Sequence, residues 1–145
     1  MLELLIVIAI IGILVSIALS ALTQSKSKGA DGGVKQNLVN ARSQAEYYYN
    51  GAATSTYSYT GVCTDAKNGI IKQVDAAAKV VNATFVQGNT QNITAAQAVC
   101  HETAAGWAVG VPLKSVSGAY CIDYKGISGI VLLDALDTDG DITCN

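Results

Sequence analysis

Leu4 to Leu22 reads LLIVIAIIGILVSIALSAL, a run without a single Lys, Arg, Asp, Asn or Gln. Glu3 stands immediately before it. At about 19 residues the run is close to the length that crosses a bilayer as a helix. Helix is also the one single-segment structure that satisfies its own backbone in lipid. A carboxylate at the mouth of such a run is costly in lipid or in a protein core unless something pairs with it. The bland alternative is a Glu resting solvated at the headgroup level. A secretory signal would put basic residues first and a shorter apolar core after them. Here Lys26 and Lys28 follow the run instead.

Working outward, the 145 residues suffice for one modest domain beyond this segment. Half the chain is hydrophobic, a share inflated by the first 22 residues. The rest is rich in Ala, Gly, Ser, Thr and Asn and reads as a lightly charged soluble domain. With 9 basic and 11 acidic residues the formal charge is −2, and no Lys/Arg cluster supports general nucleic-acid binding. Cys63, Cys100, Cys121 and Cys144 all lie past the apolar run, and an even count in an exported domain reads as two disulfides. Three pairings are open; Cys63–Cys100 with Cys121–Cys144 is preferred over the others and over four buried thiols. No CxxC spacing supports a zinc knuckle.

The first helix is expected to run to about Asn50. Its second half is amphipathic, with Val34, Leu38, Ala41, Ala45 and Tyr48 at helical spacing. Gly29, Gly32 and Gly33 weaken it by about 1 kcal/mol each, so a break, a stretched turn or a short loop is expected at 29–33. Asn50-Gly51 supplies the stop. A loop follows from Ala52 to Thr64, then a short helix from Ala66 to Val81, then a polar turn at Gln87–Asn92. Trp107–Leu113, Ala119–Tyr124 and Ile130–Leu133 read as three strands of a meander. The fold class is therefore α+β: a long N-terminal hydrophobic helix on a small antiparallel β-meander head. The expected division is 1–24 for the apolar half-helix, 25–50 for the amphipathic half and 51–145 for the head.

The stretch Leu2-Glu3-Leu4-Leu5-Ile6-Val7-Ile8-Ala9-Ile10-Ile11-Gly12-Ile13-Leu14 resembles the N-terminus of type IV pilins, a family that includes the pseudopilins of type II secretion. The resemblance covers roughly the first 20 residues. It implies the pilin fold, an inner-membrane anchor before assembly, and a homopolymeric surface filament whose core is built from these helices. It implies that Glu3 meets the N-terminal ammonium of a neighbouring subunit, and that Gly12, with Ala9, Ser16, Ala18 and Ser20, lets helices approach closely. Partners implied are a prepilin peptidase, the inner-membrane assembly machinery and motor ATPases. Family roles span adhesion, twitching motility and DNA uptake, and nothing here selects among them. In the family this Glu is the fifth mature residue, after an N-methylated first residue, so the chain is expected to start two residues late. Ser20 departs from the Pro found in many members.

Asp137, Asp139 and Asp141 place carboxylates at alternate positions, as calcium loops do. Ile142 breaks the EF-hand pattern, so a solvated acidic turn is preferred to calcium; no other cofactor is expected. Asn82-Ala83-Thr84 and Asn92-Ile93-Thr94 are glycosylation sequons that also arise by chance in Asn/Thr-rich chains. Tyr47, Tyr48 and Tyr49 are read as packing at the helix end. His101, beside Cys100, makes a poor catalytic pair, since adjacent residues seldom face one another. No enzyme motif is present. The ranked readings are a major pilin, a type II secretion pseudopilin, and a single-pass anchored binding or enzymatic domain.

Overall fold

The computed structural model describes residues 2–52, 57–136 and 140–144. Helix α1 runs unbroken from Leu2 to Tyr47, about 69 Å at 1.5 Å per residue. The break expected at 29–33 is absent, because tertiary contacts hold the weak stretch. A Cβ on Gly33 would sit 3.3 Å from the side chain of Val80, so Gly here permits close packing of a second helix. Asp31, two residues earlier, is tied to a loop of the head. Gly29 and Gly32 face open space, and no contact requires them. The helix stops where expected: Tyr48–Ala52 widens into a π turn, and Gly51 takes the left-handed conformation at φ 87°.

Helix α2 covers Ile71–Val80, five residues shorter at its start than the sequence suggests. Residues 65–69 form a turn instead. The Asp65 carboxylate accepts the N–H groups of Lys67 and Asn68. A Cβ on Gly69 would fall 2.4 Å from the Val62 carbonyl oxygen, so only glycine fits there. The end of this turn, at Asn68, meets Gln44 and the end of α2 meets Gly33, so α2 runs back down α1.

Five strands form one sheet in the order β1-β2-β3-β4-β5: Thr84–Gln87, Gln97–Glu102, Trp107–Pro112, Ala119–Asp123 and Ser128–Val131. β3 and β4 are expected strands, β5 lies two residues earlier than the expected Ile130–Leu133, and β2 to β5 make an antiparallel meander. The edge strand β1 joins β2 in parallel, so the sheet is mixed. Neither β1 nor β2 is foreseen in the sequence. Strand β3 is buried along its whole length, with two cores on its two sides. Trp107, Val109 and Val111 pack under α1 and α2 with Val34, Leu38 and Ile70. On the opposite face Ile93, Val99, Ala108 and Leu136 are closed over by the C-terminal segment. Disulfides join Cys63 to Cys100 and Cys121 to Cys144, the pairs preferred from the sequence.

Candidate functional site

From Leu4 to Leu22, α1 stays exposed and is not covered by any of the described residues of the head. Its large apolar side chains from Leu4 to Leu22 are 49% to 70% exposed, and they surround the helix rather than forming one stripe. A helix apolar on all sides belongs in lipid or among other helices. This one is long and apolar enough to cross a membrane. Among the described residues no cation lies within ion-pair distance of Glu3. The nearest charged neighbour along the helix, Lys26, is about 35 Å up the axis. Gly12 has open space around it, nine residues from Glu3 and about 180° around the helix. The two expected assembly residues therefore sit on opposite sides of the same bare rod.

Phase gives Gly12 a further meaning. At 3.6 residues per turn, Ala9, Gly12, Ser16, Ser20, Thr23 and Ser27 fall within an arc of about 80°. Higher up, the same arc carries Val34, Leu38, Ala41, Ala45 and Tyr48, all buried under the head. Thr23 and Ser27 lie on that side too, since both line a cleft with Lys114 and Ser115 of the head. The small-residue stripe is thus the downward continuation of the head-facing side. Ala18 is not part of it, lying on the far side of the helix.

The junction between rod and head is made by Asp31, a buried carboxylate on α1. It accepts the backbone N–H of Lys114 at 2.7 Å and of Ser115 at 3.0 Å, and the Ser115 hydroxyl. Burial pushes this carboxyl up, but those three donors and the nearby Lys35 outweigh it and hold it below its usual value. The sequence reading missed Asp31, although its helical phase places it beside Val34 and Leu38. Farther up, Arg42 donates to the carbonyl of Ile127 at 2.7 Å, fixing the opposite end of the β4–β5 hairpin. Buried Asp123 closes that hairpin by accepting from Lys125 and Ile127 and then clasps the C-terminal segment through the Cys144 N–H.

Tyr48 is buried and donates to the Thr60 carbonyl, while Tyr49 stacks on Tyr59 at 4.5 Å. The Tyr59 hydroxyl donates to Glu46, and burial together with that acceptor raises its pKa. Tyr47 faces solvent. His101 is fully buried, with its ring nitrogens 2.9 Å from the Asp141 carbonyl and 2.8 Å from the Gln91 carbonyl. It bridges two segments of the head, and the neighbouring Cys100 sulfur is held in a disulfide. Asn82 and Asn92 are both exposed, Asn82 at a left-handed turn with φ 59°. Of the calcium candidates, Asp137 and Asp139 lie outside the described residues, and Asp141 is exposed. Among the described residues no three His, Cys, Asp or Glu side chains gather as metal ligands.

These features define a class: an α+β head carried on a helix whose lower half is built for an apolar environment. No family model, curated protein or solved structure matches the chain.

Proposed function

We propose that this chain is a structural subunit of the type IV pilin kind, a major pilin that polymerises into a surface filament. One observation carries the reading: a helix apolar on every side, bare for its whole lower half, with a lone carboxylate at its tip. Lipid satisfies the apolar side chains in the anchored state. A bundle of identical helices satisfies them in the filament, and a heterologous, non-closing contact between copies generates helical symmetry. Glu3 then needs a cation from a neighbour, which the N-terminal ammonium of an adjacent copy supplies. Removing one partner of a buried pair costs about 3–5 kcal/mol, so a subunit docked in the wrong register is strongly disfavoured. Processing by a prepilin peptidase and extension by motor ATPases follow from the resemblance.

The test is electron microscopy of material sheared from cells that express the chain. Filaments that contain this protein, and their loss in Glu3→Ala, are expected. Normal filaments from Glu3→Ala would overturn the role given to Glu3. Anchored protein without filaments in the wild type would favour the single-pass anchored domain, and short periplasmic assemblies the pseudopilin.

A further inference from the structure

The head reaches down to the level where the apolar run ends. That run spans about 28 Å, close to the roughly 30 Å hydrocarbon layer. The polar layer beyond it is about 5–7 Å deep on each side, a depth that Thr23 to Ser27 cover. At this level the β3–β4 loop lies against α1. Lys114 and Ser115 line a cleft of about 350 Å³ with Thr23, Gln24, Ser27 and Lys28. The loop is pinned there by Asp31. Its tip, Val116, is exposed, and so are Ile130 and Leu132 beside it at the end of β5. Gly118 packs against Ile130 and the Val131 carbonyl, and Ala119 pairs with Val131, so loop and strand end share this lower edge. The other end of the hairpin is tied to Arg42, about 16 Å higher on the helix.

This underside therefore combines exposed apolar side chains with Lys28 and Lys114, neither of them in an ion pair among the described residues. Of the nearby acids, Asp31 has its oxygens taken up by three donors, and Asp134 is exposed two residues past Leu132. Lys35 is engaged over the Tyr120 ring. Apolar side chains beside clustered cations are what a bilayer interface selects.

We infer that in the anchored state the underside of the head docks on the membrane surface. The phosphates of anionic phospholipids enter the cleft between Lys28 and Lys114, and Val116 and Leu132 enter the interfacial layer. The head is then held at a fixed height and rotation on its helix rather than tumbling on a tether. The inference rests on the anchored state within the proposed function and is independent of filament assembly.

Nitroxide depth measurements on the full chain in vesicles test it. Labels are placed at Ser117→Cys on the underside, at Lys67→Cys on the upper rim and at Ile13→Cys in the run. In vesicles containing phosphatidylglycerol, the label at 117 is expected at headgroup depth and the label at 67 in water. Each lysine near an anionic surface contributes a factor of about five, so Lys28→Gln with Lys114→Gln lowers the docked-to-undocked ratio about 25-fold. A label at 117 as water-exposed as that at 67 would overturn the docking. Docking equally strong on phosphatidylcholine alone, or unmoved by the two substitutions, would overturn the role of anionic phosphates. A label at 13 outside the hydrocarbon would overturn the anchored state itself, a failure distinct from the others.

Discussion

Asp31→Asn tests whether the head is latched to the rod as the structure implies. The carboxylate accepts three hydrogen bonds from one loop, two from backbone N–H groups and one from a hydroxyl. A bond to a charged group is worth about 1.5–3 kcal/mol, and a neutral one about 1. Asn retains one acceptor oxygen and turns an N–H₂ toward donors that need an acceptor. Water reaches the exposed loop and replaces part of the loss, so about 2–3 kcal/mol of destabilisation is expected. Trp107 is fully buried in the head core and reports unfolding by fluorescence. With a urea slope of about 1–3 kcal/mol per molar, the midpoint drops by about 1–2 M. The folded-state pKa of Asp31 lies below its ordinary 3.8, so its contribution is fully present above that pH. It is lost as pH falls through the folded value, because protonation then favours the unfolded chain. The gap between wild type and Asp31→Asn therefore closes below about pH 4. Hydrogen exchange at the Lys114 and Ser115 amides, measured on the same samples, should speed up in the variant. An unchanged midpoint together with unchanged exchange at those two amides would refute the latch.

Gly12→Leu should leave the head's unfolding midpoint unchanged, since nothing lies within 4 Å of that position, yet abolish or sharply reduce filaments seen by electron microscopy. Replacing Cys63 and Cys100 by Ala opens a loop of 37 residues and should cost about 4 kcal/mol by chain entropy; opening the 23-residue Cys121–Cys144 loop should cost about 3.4. Both losses are read from Trp107 fluorescence in urea. Gly110→Ala would place a Cβ 2.1 Å from Ile93 Cδ1, an overpacking that should cost about 1–3 kcal/mol. Adding Ile93→Val removes that methyl and should recover part of the stability in calorimetry.

What was legible in the sequence depended on range. The apolar run and the amphipathic half that follows it are local patterns, and α1 follows them. The break expected at 29–33 was a sound estimate of local propensity. It failed because Gly33 admits α2 at close range and Asp31 is held by the head, contacts that propensity does not contain. Strands β3 to β5 alternate or run apolar between clear turns. Strand β1 is four residues long and half exposed, and β2 begins Gln97-Ala98, so neither carries a strong strand signal. Of the candidate site, Glu3 and the run around Gly12 were visible directly. The underside was not, because it joins Asp31 to a loop 83 residues later in the chain.

The phase of α1 constrains how copies can meet under the proposed assembly. The face that carries Ala9, Gly12, Ser16 and Ser20 is the face that the head covers above Ala30. A neighbouring helix that packs on those small residues therefore lies beneath the head, not beside it. Two copies with this contact cannot sit at the same height, because the neighbour's upper helix would run into the first copy's β3–β4 loop. One copy must shift along the axis or tilt. A lateral pair in the membrane is thus disfavoured by shape, and an axially staggered pair is favoured by the same shape. Glu3 lies about 140° around the helix from the centre of the stripe and is free to meet a different neighbour from the one that fills Gly12. Two contacts on different faces of one rod, each requiring a stagger, are what an open helical array needs and what a closed dimer does not.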